Sequence, residues 1–349
     1  MYTGEFDLPE PQGVRPVKGP RLWRWIIAGA ILIGLTAAAL YIPIPAFYAY
    51  LPGPVRNVEQ LVDVSGRHTY SSEGDLYLTT VNVDLSVTFA EWVKDSFDKT
   101  AAVVKREQVT GGGSFSDLEK EELKAMDESK QHAQEVALSA LGISSPTADG
   151  SRIQQFLDNA NAAKDLKVGD VITKIDGTPV KTSCEVGSVI AGHQPGDTVA
   201  VTVRRGKVQR TYEIQTIADP LDPTAAIIGV GLHDIHYRFD PGMKVKFKTG
   251  RIAGPSAGLM FTLGLYDQLT PDDLTHGKKI AGTGTISCNG RVGPIGGIEQ
   301  KIAGAEAAGA EIFLSPQANY DAAKAVAGDI QVVPISTFDD ALKFLQALG

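Results

Sequence analysis

The sequence predicts an α/β (α+β) protein with a small β-rich domain inside it and one N-terminal transmembrane helix. Three observations carry this expectation. No charged residue occurs between Trp25 and Val55. Residues 166 to 217 form short runs of β-branched residues punctuated by turn dipeptides. From about Ala218 to Gly349, strand-like and helix-like patterns alternate.

A length of 349 residues accommodates two domains of ordinary size plus accessory segments. With 43% hydrophobic and 21% charged residues, the chain folds rather than staying disordered. A formal net charge of −8 excludes nucleic acid as the expected partner, because no basic patch rises above the acidic background.

Residues 1 to 20 are rich in proline and glycine and read as a cytoplasmic tail. Residues 21 to 46 read as a transmembrane anchor. Leu22 to Ile42 gives one helix about 31 Å long, enough to cross a hydrocarbon core, and Pro43 and Pro45 end it. Arg15, Lys18, Arg21 and Arg24 precede the span, which places the N-terminus in the cytoplasm and the remainder outside. Trp23, Trp25, Tyr41, Phe47, Tyr48 and Tyr50 stand where interfacial aromatics belong. A cleaved signal peptide is the alternative, with Ala37-Ala38-Ala39 available to a peptidase, but the apolar run exceeds the roughly 7 to 15 residues of a signal core.

Residues 55 to 125 form the next unit. Asp75 to Val87 is rich in β-branched residues and reads as a strand or strand pair. Phe89 to Lys105 reads as a helix and Thr110 to Ser114 as a flexible break. Ser116 to Leu141 is an amphipathic helix opened by a capping box, Ser116-Asp-Leu-Glu119. Residues 126 to 217, led by the later part of that helix, make up the small domain, and residues 218 to 349 the last one. There, Met243 to Thr249 and Glu311 to Leu314 read as strands. Gly254 to Leu269, Glu299 to Ala308 and Asp339 to Leu348 read as helices.

The two cysteines, Cys184 and Cys288, are far apart and lack C-x-x-C spacing. They suit a pair in an oxidising compartment or two buried free thiols, and free thiols are the expectation. His233 and His236 form H-x-x-H without a third ligand at helical spacing, so neither a metal nor a cofactor is expected.

The chemistry concentrates at Gly254-Pro-Ser-Ala-Gly258, which fits G-x-S-x-G. Alone the pattern is weak, because Ser256 equally suits an early helical position with Pro255 at N1. A histidine triad finds poor support. His276 is the only histidine after Ser256, with no spare strand for an acid, and His233 would need a different order. The other route to an active serine is a lysine base. A free lysine titrates near about 10.4, and burial among apolar groups brings it down by several units. Lys301 fits this demand, lying in Pro294-Ile-Gly-Gly-Ile-Glu-Gln-Lys301-Ile-Ala-Gly-Ala with Ile298, Ile302 and Ala305 on its buried face. Gly296 and Gly297 are expected to let the backbone approach closely. Lys278 and Lys279 look solvated.

Gly254 to Gly258, Gly282-Thr-Gly-Thr-Ile-Ser-Cys-Asn-Gly-Arg-Val-Gly-Pro-Ile-Gly-Gly297 and Lys301 together resemble the proteolytic domain of Lon proteases. The similarity continues through Ala308 to Pro316 and Val332 to Ser336, covering roughly 225 to 349, and Leu76-Tyr-Leu-Thr-Thr80 resembles an early strand of that domain. The resemblance implies a serine–lysine dyad of Ser256 and Lys301. Gly254, Ala257, Gly258, Gly296 and Gly297 would shape it, and Thr283 would orient the amine. It also implies that Val230 to Asp240 is the strand before the serine, and that the chain forms a homo-oligomer, a hexamer. Two departures stand out. Thr285 replaces a glutamate, and Ile252-Ala253 replaces the Lys-Asp pair common in ATP-dependent members. No G-x-x-x-x-G-K-[ST] occurs.

Residues 166 to 217 resemble a bacterial PDZ domain through "L-x-x-G-D-x-I", "I-D-G-x-P-V" and "P-G-D-x-V-x-V-x-V". That resemblance implies binding of peptide C-termini by strand addition, with the carboxylate loop near Leu141-Gly142-Ile143 and the receiving strand around Arg152 to Leu157. Ala160-Asn161 stands where Ser-Pro is usual. The order of the parts resembles membrane-anchored, PDZ-containing Lon-like proteases of bacteria and implies polypeptide substrates outside the cytoplasm. A membrane-tethered binding or assembly module with a silent dyad is the rival reading. Retention of both dyad residues with their glycines favours the enzyme.

Overall fold

The computed structural model describes residues 22–220, 222–250 and 252–349. The expected cytoplasmic tail, with Arg15, Lys18 and Arg21, lies outside the described residues. Nine helices occur among them: α1 (Leu22–Leu40), α2 (Phe89–Phe97), α3 (Arg106–Thr110), α4 (Phe115–Ala140), α5 (Ser183–Ile190), α6 (Gly258–Gln268), α7 (Ile298–Ala307), α8 (Tyr320–Val326) and α9 (Phe338–Gln346).

From Trp23 to Leu40 the side chains of helix α1 are exposed. Its window Trp23–Leu40 has a mean hydropathy of 1.7, so by length and composition it is one candidate span, and a signal sequence has the same properties. Past Pro43 and Pro45 the chain enters the strand Phe47–Pro52, centre of a three-stranded antiparallel sheet flanked by Val81–Asp84 and Ala102–Lys105.

A second sheet has five strands in the order Arg56–Asn57, Asp75–Leu78, Lys279–Gly282, Ile312–Pro316 and Gln331–Ile335. All neighbours after the first pair are parallel. Asp75–Leu78 and Lys279–Gly282 lie about 200 residues apart in sequence yet pair residue for residue, Leu76 with Ile280 and Leu78 with Gly282. One sheet is thus drawn from both sides of the small domain. Helices α4, α6 and α9 cover one face through Met126, Leu259, Phe261, Leu263 and Phe338. Helices α7 and α8 cover the other through Ile298, Ile302, Ala305 and Ala323.

The small domain is an antiparallel sheet in the order Val208–Gln215, Thr198–Arg205, Val171–Ile175, Ser151–Phe156 and Val230–Asp234, with the two-residue strand Thr178–Pro179 beside Val171–Ile175. Alternate residues Val199, Val201 and Val203 are fully buried, as a half-buried strand requires. The Gly169-Asp170 turn is fixed by an ion pair, Arg205 reaching both Asp170 oxygens at 2.7 Å. Those bonds hold the Asp170 carboxyl below its ordinary range.

Four expectations need correction. Phe89 to Lys105 is not one helix. Asp98 ends α2 by accepting from the Thr100 N–H and hydroxyl, and Ala102–Lys105 pairs with Phe47–Tyr50 instead; tertiary pairing outweighs local pattern. The N-cap of α4 is Ser114, which accepts from Asp117 N at 3.2 Å, two residues before the expected capping box. Val230–Asp234 is a strand but belongs to the small domain's sheet, where it pairs with Ser151–Phe156. Finally, Cys184 and Cys288 are not free thiols. They form a disulfide with Cα atoms 5.6 Å apart, because the fold brings α5 against the turn after Thr285–Ile286 across 104 residues of sequence.

Candidate active site

Ser256 sits in a 3₁₀ turn, Pro255–Ala257, that runs directly into α6. Pro255 takes the first position, where a missing N–H costs nothing. The turn is held from two sides. From α4, Ser129 Oγ donates to the Pro255 carbonyl at 3.0 Å, and the Glu122 carbonyl accepts from Gly254 N at 3.0 Å. From the sheet side, Gly284 N and Thr283 Oγ1 both donate to the Ser256 carbonyl, at 2.8 and 3.0 Å. The leading N–H groups of such a turn have no helical acceptor.

Lys301 lies in the first turn of α7 and is 3% exposed. Its Nζ is 2.7 Å from Ser256 Oγ and 2.9 Å from Thr283 Oγ1. Burial disfavours the ammonium and pulls its pKa down to about 7. A neutral amine then has a lone pair facing the serine hydroxyl and an N–H facing Thr283. The Thr283 hydroxyl proton goes to the Ser256 carbonyl, which leaves its oxygen as an acceptor for the lysine.

Two glycines are required by the packing here. A Cβ on Gly258 would lie 2.6 Å from Ile286 Cγ2 and 2.7 Å from Ser129 Oγ. Gly297 has φ 68° as the N-cap of α7, and its Cβ would lie 2.7 Å from Val81 Cγ2. The expected close approach at Gly296 does not occur, since nothing lies within 4 Å of a Cβ there. Gly254 is the N-cap of the serine turn, and Ala257 is buried in the main core.

Ser256 and Lys301 open onto a cleft of about 980 Å³. No histidine lines it among the described residues; His233 sits on the small domain's outer strand opposite Arg152, and His276 borders a separate depression with Asp273. Nor does any group of three potential metal ligands occur among the described residues. Two features of the cleft escaped sequence reasoning. Val81, Asn82 and Val83 of the outer strand Val81–Asp84 line it, and so do Glu119 and Glu122 from the first turns of α4. No local signal links those glutamates to a serine more than 130 residues on.

Residues 234–347 match the Lon protease (S16) C-terminal proteolytic domain, and residues 139–216 match the PDZ domain. The chain is similar to a Lon protease of Campylobacter concisus (strain 13826), 35% identical over 115 residues, covering 32% of this chain and 14% of that one. Lon protease 2 of Bacillus subtilis (strain 168) is 34% identical over 112 residues, covering 32% and 18%. The chain thus spans less than a fifth of the length of either relative. Among solved structures, the PDZ domain of an SdrC-like protein from Listeria monocytogenes is 33% identical, covering 25% of this chain and 90% of that one with a TM-score of 0.23.

Proposed function

We propose that this chain, which carries a Lon-type proteolytic domain together with a PDZ domain, is a membrane-anchored serine endopeptidase that cleaves polypeptides outside the cytoplasm without ATP. The observation that carries the reading is the buried Lys301 amine 2.7 Å from Ser256 Oγ.

In the proposed mechanism Ser256 Oγ attacks the peptide carbonyl while Lys301 Nζ takes its proton. The same amine then returns a proton to the leaving nitrogen, and a water repeats the sequence on the ester. Thr283 holds the lysine in place through the 2.9 Å contact. The oxyanion is received by N–H groups at the start of the serine turn. Substrate enters as an extended strand along the outer edge of Val81–Asp84, because a strand with one unpaired edge beside the nucleophile fixes a peptide backbone irrespective of sequence.

The Cys184–Cys288 disulfide supports an oxidising location, and the exposed apolar helix α1 supports a membrane anchor. An unfolded polypeptide incubated with the full chain and no nucleotide is expected to be degraded, and the Ser256→Ala protein is expected to leave it intact. Degradation by Ser256→Ala, or a requirement for nucleotide, would overturn the proposal. A homo-oligomer, a hexamer by resemblance, belongs to the same proposal, and sizing of the detergent-solubilised chain tests it.

A further inference from the structure

Helix α2 is amphipathic, and its outer face is uncovered. Phe89, Val93 and Phe97 fall one above the other along it, at i, i+4 and i+8. The inner side holds the helix to the body. Trp92 reaches Phe47 of the first strand, with ring centroids 6.1 Å apart, and Asp95 is buried. A capping box of Thr88 and Glu91 starts the helix. On the outer face, by contrast, Phe97 is 85% exposed and Phe89 44% exposed, large apolar surfaces that water solvates at a cost.

That face adjoins the end of α1. Helix α1 ends at Leu40, and shortly after it the Pro43 backbone bridges to Thr88, the N-cap of α2. Ile44 N donates to the Val87 carbonyl at 2.8 Å. Tyr41 and Ile42 after α1, and Leu85 before α2, are exposed too. Uncovered apolar surface therefore runs from the end of the candidate span onto α2. A patch of this kind marks a contact with another chain or with a membrane, and a span ending inside it favours the membrane. Aromatic side chains predominate, the type that settles at headgroup level. The charges within α2 are Glu91, Lys94 and Asp95, so anionic lipid would not draw the helix in and the attraction is apolar. Two phenylalanines would not hold a free protein on a bilayer. A helix tied to a span is already at high local concentration there.

We propose that α2 lies in the bilayer interface at which α1 ends, its Phe89–Phe97 face in lipid, as a second membrane contact. The proposal rests on the reading of α1 as a membrane anchor. The strand Val81–Asp84 ends four positions before Thr88. A seated α2 thus keeps that end of the cleft's outer strand next to the bilayer, where a single flexible tether would let the cleft turn freely.

The test is tryptophan quenching in the full chain, reconstituted in phosphatidylcholine vesicles whose acyl chains carry bromine either near the headgroup or near the bilayer centre. It is a readout independent of proteolysis. The sequence has three tryptophans, Trp23, Trp25 and Trp92, so changes to Phe yield proteins with a single one. A protein keeping only Trp25 reports on the anchor. A protein with Phe97→Trp and the three others changed to Phe reports on α2. Its emission is expected to fall about twofold or more with shallow bromine and distinctly less with deep bromine, as for a side chain about 5–10 Å into the interface. Quenching of Trp25 without quenching at position 97 would overturn the proposal and leave the anchor standing, and a second copy of the chain covering α2 gives that result. An unquenched Trp25 would remove the anchor and the proposal with it. In a protein keeping only Trp92, Phe97→Asp is expected to reduce shallow quenching of Trp92 about twofold or more, because a charge resists entry into lipid. The urea midpoint is expected to stay unchanged, since Phe97 is exposed in the fold. Undiminished quenching in that variant would mean that the apolar face does not seat the helix, and would overturn the proposal.

Discussion

The lysine at position 301 has a single cause for its altered titration, and that makes its behaviour simple to forecast. Only burial acts on it, bringing the pKa from 10.5 to about 7, whereas a partner carboxylate would push the other way. Hydrolysis by the unaltered chain is therefore expected to rise with pH around an apparent midpoint near 7, three units or so below a free lysine, when a fluorogenic peptide is followed between pH 5 and 9. Lys301→Arg is expected to be silent throughout, because a guanidinium does not release its proton in this range. A sigmoid centred near 10, or an active arginine variant, contradicts the dyad. The same burial costs stability. Folding favours the neutral amine, so between pH 10.5 and about 7 the unfolded chain binds more protons than the folded one. Stability then falls as pH falls through that window and levels off below it. Lys301→Met is expected to be inactive and more stable at pH 7 by on the order of 2–4 kcal/mol in urea unfolding, a gain that disappears toward pH 10.5. Thr283→Val keeps the volume and removes the oxygen that holds the amine, so it is expected to slow turnover by about tenfold or more while leaving KM nearly unchanged.

Helix ends are where sequence and structure part company. Ser114→Ala is expected to lower stability by about 1 kcal/mol, while Ser116→Ala leaves it within about 0.5 kcal/mol, since only Ser114 caps α4. Equal effects in urea unfolding would return the cap to Ser116. The sequence shows two competent caps two residues apart, and the choice is made by where Phe115 finds Tyr48 to pack on, a contact across 67 positions. The same kind of non-local decision turned Ala102–Lys105 into a strand and carried Val230–Asp234 to the small domain. By contrast α6, α7 and the strands at 171–175 and 198–205 were legible, because their periodicity and turn residues agree with their tertiary surroundings. At the site, Lys301 was legible from chemistry, since an amine base demands an apolar setting, whereas its pairing with Ser256 and the place of Thr283 came with the resemblance; the structure brings the three side chains within hydrogen-bond distance. Glu119, Glu122 and the Val81–Asp84 edge were not, because only the fold brings them to the serine. Gly258 shows how tightly α6 is set. Gly258→Ala is expected to cost about 1–3 kcal/mol by pressing on Ile286 and Ser129, and a neutral substitution would show that α4 and α6 can separate.

For the molecule as a whole, the disulfide is the cross-link whose effect is largest. It closes a loop of 104 residues, for which chain-entropy reasoning gives up to about 4–5 kcal/mol. The protein with Cys184→Ser and Cys288→Ser is expected to unfold at lower temperature than the unaltered chain, and reductant is expected to bring the unaltered chain down to the same midpoint. Identical midpoints without reductant would mean that packing alone holds α5 to the catalytic part. Its thiols were misread because pairing depends on a Cα separation that only folding reveals.

The pairing of Asp75–Leu78 with Lys279–Gly282 also sets a timetable. The first of these strands is synthesised about 200 residues before its neighbour, and a ladder of such long range forms late. Strands 151–215 can meanwhile pair among themselves, being close in sequence. Until residues 282 to 301 have followed, the serine turn lacks Thr283 and Gly284 on the Ser256 carbonyl and the Lys301 amine beside the Ser256 hydroxyl. If the proposed dyad is what cuts, a chain still emerging is thus unarmed until its last third has arrived.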